Sequence, residues 1–227
     1  MGSNNNSNDQ KEVLNAALPF QAGLASVETR LERYASSFNR RDRSFDIDSN
    51  QGTSSFMARS VATRVGPTLV YSAAHTGLTY SSSVDEPFAV FLLPFLGRAS
   101  FRVERRWYQL AAGQSAVYMA GQARRCETEL VGGTLIQLSR ERLAAKAAEL
   151  SGDASASGRY LETFERPWEF SEAVPLQRQL LAVMRRTLGL IDLVQDGSRL
   201  LADSLRIDDL LYRSVVMLAR PELLKPF

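Results

Sequence analysis

At 227 residues, 44% apolar and 23% charged, the chain can bury roughly 72% of the surface that its unfolded form exposes, which excludes a disordered, collagen-like or coiled-coil-only molecule. One histidine and one cysteine exclude a zinc or iron centre built from several imidazole or thiolate ligands of one chain, and an intrachain disulfide with it. The net charge of +2 comes from 24 arginines and 3 lysines interleaved with 25 acids, so no basic tail marks the chain as a nucleic-acid binder.

The first residues, Met1 to Gln10, are rich in asparagine and serine and lack the basic and apolar stretches of a secretory signal. Residues 1–19 are expected to be a mobile arm. From Ser26 to Phe38 the apolar positions Val27, Leu31, Tyr34 and Phe38 recur every three or four residues, which predicts one amphipathic helix.

Between Phe56 and Leu138 the texture becomes Val-, Thr-, Tyr- and Phe-rich, broken by Gly, Pro and Ser. It predicts strands over Met57–Val65, Thr68–Ala73, Thr76–Ser81, Phe88–Phe95, Ala99–Glu104, Gln114–Met119, Cys126–Leu130 and Thr134–Leu138. Strands at this spacing without intervening helices argue for an antiparallel sandwich or barrel. The longest apolar run, Phe88 to Leu96, contains Pro94 and is too short to span a bilayer as a helix. The expectation is a soluble, cytoplasmic chain without a membrane partner.

After Leu138, Ser139 caps a helix from Arg140 to Leu150 that ends at Ser151-Gly152. Two longer helices follow, one with Leu176, Leu180, Val183, Met184 and Leu188 on one face, the other with Leu200, Ile207, Leu211, Val215 and Leu218. Gly197-Ser198 lets them fold back as an antiparallel pair. The second helix carries more apolar residues than one buried stripe needs, so Leu200, Ile207, Leu211, Val215 and Leu218 are the expected dimer interface.

The segment LLPFLGRASFRVERRWYQLAAGQSAVYMAG, Leu92 to Gly121, resembles the heart of the cupin-like sensor domain of AraC/XylS-type transcriptional regulators. The match lies in a strand leaving Gly97, a hairpin tip at Glu104-Arg105-Arg106, and glycines at 113 and 121. The tracts Ile136–Leu150, Val174–Leu193 and Arg206–Leu224 look like the helices that follow the barrel in that family, so the resemblance runs from about Phe20 to the C-terminus. It implies an α+β fold: an antiparallel cupin-like barrel or sandwich with flanking helices over 20–150, then a C-terminal antiparallel helix pair forming a helical dimerisation region over 151–227. It also implies an effector-binding and dimerisation domain that senses a small molecule and forms a homodimer through its C-terminal helices. Such regulators touch DNA through a helix-turn-helix domain that would follow Arg220-Pro221. That domain is absent from these 227 residues, so the chain itself is expected to bind DNA weakly or not at all. Arabinose-responsive members imply that the arm closes over the barrel mouth.

Metal-dependent cupins use several histidines, and His75 alone implies no metal, no cofactor and no enzyme. Six arginines against one acid between Arg98 and Arg125 point to a carboxylate effector if one faces inward; a sugar is the alternative. The candidate effector contacts are Arg59, His75, Tyr80, Phe91, Arg102 and Tyr118. Adjacent arginines such as Arg124-Arg125 read most simply as solvated surface, and Cys126 as a small buried strand residue. Two other readings remain open: a naturally truncated regulator that acts by heterodimerising with full-length relatives, and a stand-alone metal-free cupin-like binding protein or enzyme. The latter would need an acid and a base in a pocket, and the candidates Asp85, Glu86, Glu104, Glu127 and Glu129 form no evident pair in the sequence.

Overall fold

The computed structural model describes residues 3–39, 45–49, 55–83, 85–195 and 205–224. Leu200 and the Gly197-Ser198 turn lie outside the described residues. Among the described residues ten strands, all paired antiparallel, form one sheet. They are β1 (Ser26–Glu28), β2 (Phe45–Ser49), β3 (Ala58–Val65), β4 (Thr68–His75), β5 (Leu78–Ser82), β6 (Ala89–Val103), β7 (Arg106–Ala111), β8 (Ser115–Met119), β9 (Arg124–Leu138) and β10 (Trp168–Ser171). The order is β1-β3-β4-β9-β6-β8-β10, with β5 on the far half of β9, β2 on β5, and β7 on β6. The architecture is the expected antiparallel cupin-like α+β fold. Its sheet is not closed, however: β1 and β10 end the path.

Two long strands, β6 and β9, run side by side through the middle and carry the bend. Each of the two predicted strand pairs along them, Phe88–Phe95 with Ala99–Glu104 and Cys126–Leu130 with Thr134–Leu138, is one continuous strand. What separates the halves is a pair of register irregularities, between Pro94 and Leu96 and between Gly97 and Ala99. Phe95 is the extra residue on β6. Because side chains alternate along a strand, one extra residue moves every later side chain to the opposite face. Gly97 sits at φ 62° in this crossing, where a Cβ would run into the Leu130 carbonyl oxygen, so only glycine lets β6 and β9 approach.

One face of the sheet is covered by helices: α3 (Arg140–Ser151), α4 (Ser157–Leu161), α5 (Pro175–Gln195) and α6 (Ile207–Ala219). Ser139 caps α3 as expected, accepting from the Arg142 N–H at 3.1 Å, and Gly152 ends it at φ 78°. Phe91, Tyr118, Ile136, Leu138 and Phe170 pack against Leu143, Ala147, Leu181, Met184, Leu211 and Val215 in the main core. α6 is tied to α3 by Lys146–Asp209 at 2.5 Å, Arg213–Glu149 at 3.0 Å and Arg142–Asp208 at 3.0 Å.

Two expectations for the N-terminal part change. Ser3–Asn15 is a helix, α1; Val13 within it and Ala16, Leu18 and Phe20 beyond it are buried. Arg59 holds this segment by donating to the carbonyls of Leu14, Ala16 and Ala22 at 2.8 to 2.9 Å. The predicted helix from Ser26 is split: Ser26–Glu28 add to the edge of β3 as β1, and α2 runs from Leu31 to Asn39. A free edge strand outcompetes the helical spacing of Val27, which stays exposed.

Candidate functional site

Opposite the helices, the bent sheet leaves a cavity of about 100 Å³ that is partly open to solvent. β4 contributes Tyr71, Ala73 and His75, and β5 contributes Leu78 and Tyr80. The parity switch is visible in the long strands. Leu92 lines the cavity before the irregularity in β6 and Ala99 and Phe101 after it; Leu135 and Val131 line it on β9, and then Thr128 and Arg124. Tyr34 of α2 and Ile47 of β2 complete the wall.

The lining is aromatic and electrically quiet. Tyr34 lies 6.0 Å from the His75 ring and 5.3 Å from Phe56, between centroids, and Tyr80 meets Phe101 edge-on at 6.2 Å. The Tyr71 and Tyr34 hydroxyls are 3.5 Å apart. His75 is buried and donates from Nδ1 to the Thr76 carbonyl at 2.9 Å, which fixes the tautomer and leaves Nε2 as the acceptor. Burial pushes its pKa down to about 4, against the weaker opposing effect of that hydrogen bond. Burial likewise holds the Tyr34 and Tyr80 phenols well above their usual range, so both remain neutral. Cys126, behind Tyr80, is buried as expected, and burial raises its thiol to about 12.

The charged side chain of the wall, Arg124, is held in an ion pair. Arg124 Nη2 lies 2.9 Å from Glu86 Oε2, with the two side chains 3% and 5% exposed. Arg124 Nη1 donates to the Gln122 carbonyl at 3.3 Å. The loop that carries Glu86 is stitched to the next one by Glu86 N–H to Gly121 O, 2.6 Å, and by Ala123 N–H to Asp85 Oδ1, 2.9 Å.

Of the six expected effector contacts, the structure brings His75 and Tyr80 together at the cavity. Phe91 and Tyr118 point to the helix-covered face: Phe91 stacks on Phe170 at 5.9 Å, and the Tyr118 hydroxyl donates to the Phe164 carbonyl at 2.8 Å. Arg102 is exposed and bonds the Glu104 carbonyl within its own hairpin, while Arg59 clamps the N-terminal segment. The described residues of the arm do not line the cavity. Val13 and Ala16 pack on Ala74, whose side chain leaves β4 on the face opposite Ala73 and His75.

Sequence reasoning missed Tyr34 and Arg124 at the cavity, and named Glu86 only as a candidate acid or base, not as the partner of Arg124. A signal existed for Arg124. Arg124, Cys126 and Thr128 alternate with Arg125, Glu127 and Glu129, the period of a half-buried strand, and the first three are the buried set. The expected dimer residues are also relocated: Ile207, Leu211, Val215 and Leu218 are all buried in their own chain's core. The periodicity identified the buried face correctly. What buries it is the same chain.

Among the described residues no cluster of three or more His, Cys, Asp or Glu could hold a metal ion, and no helix is long and apolar enough to cross a membrane. No family model matches the sequence, and no curated protein matches it. Among solved structures, the AraC-like transcriptional activator CuxR superposes with a TM-score of 0.65 at 15% identity, over 86% of this chain and 69% of that one. The chain shares its fold with an AraC-like regulator. Two cupin domains overlap more loosely. That of an XRE family transcriptional regulator from Enterobacter cloacae covers 35% of this chain and 95% of its own (15% identity, TM-score 0.29), and one from Rhodospirillum rubrum covers 53% and 90% (15%, 0.30). At those scores neither adds to the fold assignment.

Proposed function

We propose that the chain is the effector-binding domain of a transcriptional regulator of the AraC type, taking a small ring-sized molecule into the cavity and passing its occupancy to the helices. The observation that carries this reading is the cavity itself: apolar and aromatic walls with a few convergent polar groups, the composition of small-molecule sites, set in the sheet of a fold shared with an AraC-like activator. It favours binding over catalysis. Of the acids considered for proton transfer, Glu104, Glu127 and Glu129 are exposed, Asp85 is exposed and caps a backbone N–H, and Glu86 is spent on Arg124.

A polar route supports the second half of the proposal. Beyond Glu86 and Gly121, Gln122 Nε2 donates to the Glu165 carbonyl at 2.5 Å, and Arg220 at the end of α6 donates to Thr163 Oγ1 at 3.2 Å. Contact with DNA would come from another domain, biased by whichever state the ligand prefers. A homodimer through the C-terminal helices would use the apolar side chains they leave exposed, Val183, Leu205 and Leu210, in place of the buried stripe.

The test is a thermal-shift and calorimetric screen of single-ring compounds. A saturable, one-to-one rise in melting temperature that disappears in Ala73→Leu, which fills the cavity from β4, is the expected result. No binder among compounds of this size, or binding unaffected by Ala73→Leu, would sink the proposal.

A further inference from the structure

We infer that the cavity selects uncharged ligands, and that Glu86 sets this preference by neutralising Arg124, the cationic side chain among the described residues of the wall. The inference rests on reading the cavity as the effector site. An inward-facing arginine in a binding domain ordinarily grips a carboxylate of the ligand. Here the guanidinium already grips one, from its own chain: Arg124 Nη2 and Glu86 Oε2 are 2.9 Å apart in a nearly solvent-free position. A ligand carboxylate brought to Arg124 would stand within a few ångströms of the Glu86 carboxylate, in surroundings that screen little of their repulsion.

The remaining polar groups of the wall point the same way. Tyr34 and Tyr80 are neutral phenols, and the Tyr34 and Tyr71 hydroxyls face one another. His75 commits its Nδ1 proton to the Thr76 carbonyl, so the imidazole has a lone pair to offer at Nε2. That acceptor suits a hydroxyl or N–H on the ligand and disfavours an anion. With no uncompensated charge on the described wall, a charged ligand of either sign would lose its hydration without recovering it.

The glutamate comes from a loop, not from the sheet. Glu86 lies between β5 and β6 and is held by its own N–H on Gly121. The charge of the site is therefore adjustable at a position that leaves the cavity's strands untouched.

Benzamide and benzoate share a ring and a planar head group and differ in charge, so calorimetric titration of the full chain with both at pH 7.5 tests the inference directly. The wild-type chain should bind benzamide at least tenfold more tightly than benzoate. In Glu86→Gln, benzoate should gain at least tenfold while benzamide changes less than threefold, and Glu86→Gln combined with Arg124→Gln should restore the preference for benzamide. Should Glu86→Gln fail to fold, the wild-type pair of affinities still decides. Benzoate binding the wild-type chain as tightly as benzamide overturns the role of Glu86 and leaves the effector site standing. Binding of neither probe overturns the effector-site reading and this inference with it.

Discussion

The same strands present two surfaces that behave differently. On the helix-covered surface, Phe91, Tyr118 and Phe170 are at most 1% exposed and lie against the side chains of α3, α5 and α6. On the other, Leu92, Ala99, Phe101 and Leu135 border empty space. Residues 91 and 92 are neighbours in sequence and belong to opposite regimes. In the first, every side chain has a partner and close packing supplies stability. In the second, volume is left unfilled and polar groups are buried around it, an arrangement that costs stability and makes sense where a ligand is to fill the gap.

The largest consequence is in truncation. Phe91→Ala should cost about 3–5 kcal/mol, because a fully enclosed ring leaves a hole its neighbours cannot close. Leu92→Ala should cost under about 2 kcal/mol, since one side of that leucine already faces the cavity. Urea unfolding of the two variants gives the comparison in one experiment, and equal losses would mean that the cavity face is packed like the core.

A second difference should show in acid. The folded chain keeps His75 neutral down to about pH 4, whereas in the unfolded chain it takes up a proton near 6.5. Its folded pKa is the lower one, so between those values the unfolded state binds the proton and gains. Stability should be fully present above pH 6.5 and decline as the pH falls to about 4, by about 3 kcal/mol for this residue. Chemical denaturation from pH 7 to 4 measures the slope, and His75→Gln should flatten it. An unchanged slope in that variant would place the acid sensitivity elsewhere.

How much of this was legible in the sequence follows from what alternation can and cannot carry. Val, Thr, Tyr and Phe in short runs marked most strands, and the spacing of Leu180, Met184 and Leu188 marked a buried helix face. Alternation puts Phe101 and Val103 on one face of β6 and Arg102 on the other, and the structure buries the first two. It could not carry that parity back to Phe91. One added residue, Phe95, reverses the faces between them, and nothing in its chemistry announces a bulge. Tyr118 was misplaced for the same kind of reason: a tyrosine suits a cavity wall and a core with a carbonyl to receive its hydroxyl equally well. Arg124 was lost to its neighbour. An arginine pair reads as solvated surface until the strand period separates the member that is buried from the one that is not. Glu86, in a loop 38 positions away, has no local pattern to reveal its partner. The short strands β2 and β10 were missed because each is held by its neighbour in the sheet more than by its own composition, while β7 was legible only as the returning arm of the hairpin with its tip at Glu104-Arg105-Arg106.

The smallest expected effect is the most discriminating. Enlarging an alanine inside a packed core forces its neighbours off their rotamers and costs about 1–3 kcal/mol. Ala116, on β8 against the helices, is such a site. Ala99 is as well buried by its own accessibility, 3%, yet it lines the cavity. A leucine there would grow into empty space, gaining apolar contact to offset its lost rotamer freedom. Ala99→Leu should therefore change stability by less than about 1 kcal/mol in either direction while abolishing ligand binding, and Ala116→Leu should do the reverse, weakening the fold and sparing affinity. The two variants have the same chemistry and nearly the same burial, so only the presence of a ligand-sized void distinguishes them. If both lose the same stability, the void closes in solution and the two faces are alike. If they split as expected, the cavity is a feature of the folded chain that its packing has been arranged to keep.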